Sequence, residues 1–340
     1  MTTTTPRPPA SGGLRGRLIS LAERVTTPLL PADYLDVIDP LLSGTTLRGR
    51  IVAIHPETRA AVTVVIRPGS GWRAHLPGQY LRLGVEVDGV RQWRSYSITS
   101  RPDRADRCVA ITVKCVPDGL VSNHLVRRAT VGTIVHLGQP GGDFTLDRQA
   151  PKVLFLTAGS GITPVMGMLR SMTRGVAADV VVVHSAPRAE DVIFAGELRM
   201  MAHRGRIRLV EIHTRSDGRL DPARVGDLVD DVDDRQTWAC GPTDLLDAVE
   251  SHWEAAGIAG QLHIERFRPT LIATGDGGAV TFSATGTTVE ADGSRSLLDT
   301  GETAGVLMPS GCRMGICFGC VAPLRRGAVR DLRTGELTTA

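Results

Sequence analysis

The strongest constraint on how this chain folds is a change of texture at Pro151. Before it, from Leu47 on, the apolar residues come in short runs: Arg50–His55, Ala61–Arg67, Gln79–Val87, Gln92–Ile98, Val109–Val116 and Thr133–Leu137. The breaks carry Pro68-Gly69, Pro77-Gly78, Asp88-Gly89, Pro102-Asp103 and Pro140-Gly141-Gly142. Runs of this length between such residues are strands joined by turns, and six of them at this spacing predict a small antiparallel barrel. After Pro151, Lys152–Thr157 and Asp179–His184 are continuous apolar runs, the pattern of strands buried on both faces of a parallel sheet. Ile207–His213, Gln236–Ala239 and Gln261–Ile264 add strands, with helical stretches near Thr163–Thr173, Ala195–His203, Pro222–Val229 and Thr243–Ala256. Strand alternating with helix predicts a doubly wound α/β domain.

The flanks divide the rest. Residues 1–12 are Thr/Pro-rich and read as disordered. Leu14, Leu18, Leu21, Ala22 and Val25 then recur at helical spacing among Arg15, Arg17 and Arg24, up to Pro28 and Pro31. This basic amphipathic helix either packs on the following domain or touches a membrane surface. Thr274-Gly275-Asp276-Gly277-Gly278 reads as a linker, followed by a hairpin-like pattern, Val280–Ala284 and Thr287–Ala291. The expected division is therefore an N-terminal extension over 1–46, the barrel over 47–150, the α/β domain over 151–270, a linker over 271–278 and a third unit over 279–340. A net charge of +3 gives no reason to expect a nucleic-acid partner. Gly159, Gly161 and Pro164 interrupt the most apolar stretch, Val153 to Leu169, before it could span a bilayer, and Pro6, Pro8 and Pro9 stand where a secretory signal would be apolar. A cytoplasmic protein is expected. The acidic run Asp230-Asp231-Val232-Asp233-Asp234 lacks calcium-loop spacing and reads as a solvated loop.

Chemistry-bearing residues gather at the ends of these elements. In Arg94-Ser95-Tyr96-Ser97, alternation along a strand puts Arg94 and Tyr96 on one face. A guanidinium there suits a phosphate, a phenol ring stacks on a flat aromatic cofactor, and Ser97 at the strand end suits a ring nitrogen. An ordinary amphipathic strand has the same alternation. Gly119-Leu120-Val121-Ser122-Asn123-His124-Leu125 reads as a turn opening a short helix, whose free N–H groups and Ser122 hydroxyl suit a pyrophosphate, as many capped helices do. Lys114 on the preceding strand is either a solvated charge or part of the same anion site.

In the α/β domain, Thr157-Ala158-Gly159-Ser160-Gly161-Ile162-Thr163-Pro164 follows the first strand, with Thr163 placed as N-cap and Pro164 at the first helical position. Gly159 and Gly161 let a dinucleotide pyrophosphate approach the helix N-terminus, without forming the full G-x-G-x-x-G fingerprint. Cys240-Gly241-Pro242 ends a strand at the carboxyl edge, its thiol either beside a nicotinamide or merely buried. Arg188 and Arg215 follow the second and third strands, as solvated arginines or as partners of a ribose phosphate, which would favour NADPH over NADH.

Near the end, Cys312, Cys317 and Cys320 have C-x4-C-x2-C spacing, the plant-type pattern for a [2Fe–2S] cluster. Gly311, Gly315 and Gly319 let backbone N–H groups approach the sulfurs. A structural zinc knuckle, or cysteines that only pack, are the other readings. Cys108, Cys115 and Cys240 show no disulfide spacing, and a thiol-ligated cluster fits a reducing compartment.

In this order the signals resemble the ferredoxin–NADP reductase superfamily, in particular members with a C-terminal plant-type ferredoxin domain, over about residues 47 to 340. The resemblance implies an antiparallel flavin barrel, a parallel α/β nucleotide domain and an α+β ferredoxin-like domain. It also implies roles for individual residues. Arg94 would bind flavin phosphate, Tyr96 stack on the isoalloxazine and Ser97 contact N5. Gly119 and Ser122 would cradle the pyrophosphate of FAD; Gly159, Gly161 and Pro164 that of NAD(P)H; and Cys240, Gly241 and Pro242 would lie beside the nicotinamide. Glu265 and Phe267 would end the reductase part near the flavin, with Glu265 handling polarity or a proton. Electrons would run from NADPH (or NADH) through FAD and a [2Fe–2S] cluster to an acceptor protein, an oxygenase or a membrane acyl desaturase, with at most peripheral membrane contact. No cysteine follows Cys320, so the fourth ligand of the family pattern is missing. The expectation is a shortened ferredoxin domain; a domain without a cluster, or a ligand from another chain, are alternatives. A flavin reductase or oxidase with an inert or zinc-binding docking module is the competing function.

Overall fold

The structure, a computed structural model, describes residues 39–42, 46–117, 119–147, 149–172, 178–267, 273–306, 308 and 321–340. The expected N-terminal helix and the loop with Cys312, Cys317 and Cys320 lie outside the described residues.

The first unit is one antiparallel sheet of β1 (Arg48–Thr58), β2 (Ala61–Pro68), β3 (Tyr80–Val87), β4 (Val90–Ser97), β5 (Val109–Lys114) and β6 (Ile134–Leu137), in the order β4-β3-β6-β1-β2-β5. Its outermost strands meet through an Ile98–Ile111 bridge and a Thr99 N–H donated to the Ala110 carbonyl at 2.8 Å, which closes the sheet into a barrel. Ile51, Val64, Leu81, Leu83 and Ile111 fill the interior, and α1 (Leu120–Arg127) adds Val121 and Leu125. From Ala61 to Ile66, β2 is buried at every residue. One side of it faces the barrel interior, while Val65 packs outside with Cys108 and Ala110, so its sequence is a run of buried residues, apolar except for Thr63, and not an alternation of apolar and exposed polar ones.

The second unit is a parallel sheet of β7 (Lys152–Ala158), β8 (Asp179–Ala186), β9 (Arg208–His213), β10 (Gln236–Cys240) and β11 (Leu262–Glu265), in the order β11-β10-β7-β8-β9. Helices α2 (Ile162–Met172) and α3 (Ala195–His203) cover one face through Val165, Met166 and Leu198. The expected helix over Pro222–Val229 is instead a 3-10 turn, Pro222–Arg224, running into the single-turn α4 (Val225–Leu228). Asp221 accepts the Ala223 N–H and holds the tighter turn. Helix α5 (Thr243–Ala255) covers the other face with Leu246, Val249 and Trp253. Barrel and doubly wound sheet are thus as expected from the sequence.

The two units share a junction. Ala61 and Phe144 of the barrel enter the core under α2. At Gly167 of α2 a Cβ would overlap the Ile98 carbonyl oxygen, so glycine sets how closely the helix approaches the barrel. Trp238 Nε1 donates to the Thr145 carbonyl at 3.1 Å.

The C-terminal part holds a hairpin of β12 (Gly278–Phe282) and β13 (Thr287–Ala291), helix α6 (Leu297–Thr303), and a strand pair, β14 (Ala328–Arg330) and β15 (Leu337–Thr339). The Ser296 side chain accepts the Asp299 N–H and caps α6, whose Gly301 packs against Phe282. Part of the stretch read as a linker belongs to this unit: Ala273 N–H donates to Leu332 at 3.1 Å and Gly275 N–H to Gly293 at 2.8 Å. Among the described residues no helix is long and apolar enough to cross a membrane.

The acidic run over 230–234 is not simply solvated. Arg235, with a side chain 5% exposed, donates to Asp231 and to Asp179, both at 2.6 Å, and to the Asp179 carbonyl at 3.1 Å. Lys152 pairs with Asp231 and Asp234. The guanidinium therefore ties β10 to the start of β8, and lysine extends the tie to β7. Charge-assisted bonds to a buried guanidinium are among the stronger ones, so Arg235→Ala is expected to lower the unfolding free energy by about 2–4 kcal/mol. The check is the urea midpoint at unchanged m-value; a loss below about 0.5 kcal/mol would mean the clamp does not hold the sheet.

Candidate active site

Parallel pairing brings two of the sequence candidates, Cys240 and Glu265, side by side at the carboxyl edge of the second sheet. Glu265, Cys240, Thr157, His184 and Glu211 are register partners across all five strands, in the order β11-β10-β7-β8-β9. Partners in neighbouring strands share a face. This face lies under α2, since Cys240 packs in one core with Phe155 and Met166.

Immediately after β7 the chain turns through Gly159–Gly161, a 3-10 turn, into α2. Gly159 sits at φ +55, and at Gly161 a Cβ would overlap the Cys240 carbonyl oxygen. The turn and the Cys240-Gly241 backbone are therefore in direct contact, and both glycines are required by geometry. The cap expected at Thr163 is not formed. The helix begins at Ile162, Thr163 lies inside its first turn, and the Thr163 hydroxyl donates back to the Ser160 carbonyl at 2.9 Å. Pro164 is the third helical residue, where its missing N–H costs nothing because that position has no intrahelical acceptor.

Lys114 reaches across from the barrel. A Cβ on Gly159 would lie 3.7 Å from its Nζ, so the ammonium stands over the nucleotide-type turn. On β4, pairing with Leu83 and Leu81 puts Arg94 and Tyr96 on one face, and Ser95 and Ser97 on the other. Arg94 Nη1 donates to the Trp93 carbonyl at 2.7 Å. Burial pushes the Tyr96 phenol well above its usual range, so it stays neutral. Ser97 Oγ is buried with no hydrogen-bond partner among the described residues. By contrast the Ser122 hydroxyl, expected to face a pyrophosphate, donates to the Gly119 carbonyl at 3.1 Å and is taken up by its own turn. What Gly119–Ser122 offers an anion is the backbone N–H groups at the start of α1.

Cys240 is fully buried, and desolvation, aided by the nearby Glu265, raises its thiol pKa well above the ordinary value. It is a protonated thiol and not a nucleophile. Desolvation likewise lifts Glu265 to about 8, and its Oε2 is buried without a partner among the described residues. Phe267 follows with an exposed ring. At the other end of the edge, Arg188 is exposed and 4.0 Å from Glu190. Arg215 N–H donates to the Pro187 carbonyl at 3.1 Å, which brings the Arg188 and Arg215 loops side by side.

Thr157 and His184 were not singled out in the sequence. Thr157 Oγ1 lies 2.8 Å from His184 Nδ1, burial lowers the imidazole pKa to about 4, and Nε2 has no partner among the described residues. The available signal was a polar residue closing each of two otherwise apolar strands.

The Glu265 shift has a definite sign. Its pKa rises from 4.5 to about 8 on folding, so the protonated acid favours the fold fully below pH 4.5, and that contribution is lost as pH rises through about 8. Glu265→Gln keeps the neutral form, so the melting temperature of the variant minus that of the parent should increase from pH 4.5 to pH 8. A difference independent of pH across that window would show that Glu265 is not held protonated.

Comparison with known proteins places this geometry. Residues 73–146 match the oxidoreductase FAD-binding domain and residues 155–251 the oxidoreductase NAD-binding domain. The chain is 49% identical to an NADPH oxidoreductase of Mycobacterium tuberculosis, over 98% of this chain and 90% of that protein. It is 32% identical to the glycine betaine monooxygenase reductase subunit of Pseudomonas aeruginosa, over 77% and 80% of the two chains. The fold matches phthalate dioxygenase reductase with a TM-score of 0.62 at 24% identity, covering 81% of this chain and 85% of that one.

Proposed function

Because this chain belongs to the FAD- and NAD-binding oxidoreductases of the ferredoxin–NADP reductase superfamily, we propose that it is the NADPH-dependent reductase component of an oxygenase system. Electrons from NADPH would pass through FAD and a [2Fe–2S] cluster to the oxygenase. The observation that carries the reading is Lys114 of the barrel standing over the Gly159–Gly161 turn of the nucleotide domain, so that both units face one cleft. The printed role of the Pseudomonas aeruginosa relative, a monooxygenase reductase subunit, supports the kind of acceptor. For the cluster, the support is the spacing of Cys312, Cys317 and Cys320, whose thiolates would supply three of its four ligands.

The residues present fit a flavin in one respect that folding alone leaves unexplained. Ser97 Oγ is buried without a partner among the described residues at the end of the barrel strand that carries Tyr96 and Arg94, and buried hydroxyls are normally satisfied. FAD, when bound, supplies the conversion between a two-electron hydride donor and one-electron acceptors. The protein's task is placement. Arg94 would hold phosphate, the neutral Tyr96 ring would offer a flat apolar surface, and Ser97 would satisfy a ring nitrogen. The Gly159–Gly161 turn and the amino end of α2 would take the nucleotide pyrophosphate, with Lys114 supplying charge from across the cleft. Arg188 and Arg215 would take a ribose phosphate. The Cys240 thiol packs without charge, and Glu265 holds a proton near neutral pH, available at the edge of the cleft.

Two measurements test this. Anaerobic NADPH should bleach the visible absorbance of the purified protein, and iron and acid-labile sulfide should be present together; a colourless protein sinks the flavin reading, and flavin without iron or sulfide sinks the cluster. The Arg188→Gln/Arg215→Gln variant should raise KM for NADPH roughly tenfold, a loss of about 1.4 kcal/mol, while KM for NADH stays the same. Equal effects on both nucleotides would remove these arginines from phosphate recognition.

A further inference from the structure

A cavity of about 700 Å³ opens at the junction of the two units, lined by none of the redox candidates. The barrel contributes His55, Glu57 and the turn after Ser100; the nucleotide domain contributes Arg170 and the end of α3. Arg170 lies nine residues beyond Gly161 along α2, or about 13 Å of helix from the nucleotide-type turn. The volume is in the range of small-molecule sites.

Charge balance narrows the occupant. Five arginines line the cavity, and three are neutralised locally. Arg101 meets Asp103 at 3.2 Å, Arg104 forks onto Asp106, and Arg170 forks onto Glu197 at 3.0 and 2.6 Å. Arg204 and Arg206, both exposed, have no ion pair among the described residues. Against them stands one lining carboxylate not paired with an arginine among the described residues, Glu57, which accepts the Thr63 hydroxyl at 2.6 Å. Histidine aside, one positive charge remains. The uncharged lining is small or aliphatic, with Val65, Ala110 and Met200 beside the hydroxyls of Thr63 and Ser100, and His55 supplies its one imidazole. Met200 is 43% exposed, an adaptable apolar side chain on the cavity wall.

The wall is also preorganised. The Arg170 guanidinium donates to the Thr99 carbonyl across the junction at 2.7 Å and lies 4.9 Å from the centre of the Phe194 ring. Phe194 is held at φ 63, a conformation that a bulky residue keeps only where its surroundings enforce it, and such strain gathers at ligand clamps.

We propose that this cavity binds an aliphatic monocarboxylate, its head held by Arg204 and Arg206 and its chain lying over Met200, Val65 and Ala110. Arginine forks match carboxylate geometry, one net positive charge matches a monoanion, and the apolar strip of Val65, Ala110, Met200 and Met201 matches an unbranched chain. Since both units supply the walls, the ligand spans the junction.

Calorimetric titration of the full chain with octanoate at fixed ionic strength tests this. Saturable one-to-one binding is expected, at least tenfold weaker in Arg204→Gln/Arg206→Gln and at least tenfold weaker for 1-octanol. Both arginines are exposed, so the variant should keep the parent melting temperature and the parent rate of NADPH oxidation without octanoate. Heats that do not saturate, octanol binding as tightly as octanoate, or unchanged octanoate binding in the double variant would each overturn the proposal. Tighter binding of octyl phosphate than of octanoate would overturn the assignment of a monoanionic head.

Discussion

One backbone contact sets the geometry of the cleft: Gly161 lies so close to the Cys240 carbonyl that no side chain fits between them. That contact joins the turn after β7 to the end of β10, two strands already paired from Gln236 to Cys240. It thereby fixes where α2 begins and which way it leaves the sheet. Anything larger than hydrogen at Gly161 would force the turn off the strand edge, and the N–H groups at the start of α2 would move with it.

From that fixed start, α2 carries the relation between the two units along its length. Five residues after Ile162, Gly167 brings the helix against Ile98 at the barrel seam; three residues later, Arg170 reaches Thr99 and Glu197. Ile98 directly follows β4, the strand of Arg94, Tyr96 and Ser97. The nucleotide-type turn and the flavin-type strand are thus related through a single rigid element, not through a flexible connection. The same helix runs from the redox cleft at one end to the arginine-lined cavity at the other, where its Arg170 forms part of the wall.

How much of this was legible in the sequence follows from the range over which each signal acts. Turn pairs such as Asp88-Gly89 and valine runs such as Val180–Val183 act locally, and the barrel strands and β8 appear within a few residues of where they were expected. Side-chain competition is less visible: the Ser122 hydroxyl and the Thr163 hydroxyl each turn back to a carbonyl three residues away, where the motif alone pointed them at a ligand or a cap. Long-range partners are not visible at all from one sequence. Lys114 meets a turn forty-five residues on, Arg235 meets Asp179, and the line from Glu265 to Glu211 depends on strand register, which periodicity does not encode.

The titratable groups of the cleft have a common direction. Burial raises the Tyr96 phenol, the Cys240 thiol and the Glu265 acid and lowers the His184 imidazole, so each is biased to its uncharged form near neutral pH. Desolvation heads the causes in every case, which is the signature of a low-dielectric site and not of paired charges. The basic side chains brought to the cleft are those of Arg94 and Lys114, one on β4 and one over the nucleotide-type turn. For a site that handles hydride and electrons this separation is physically apt. Under the proposed function, anionic phosphates would be held by these basic side chains, while the uncharged forms of Tyr96, Cys240, Glu265 and His184 would add no charge to oppose a change in the electron count of the reacting rings.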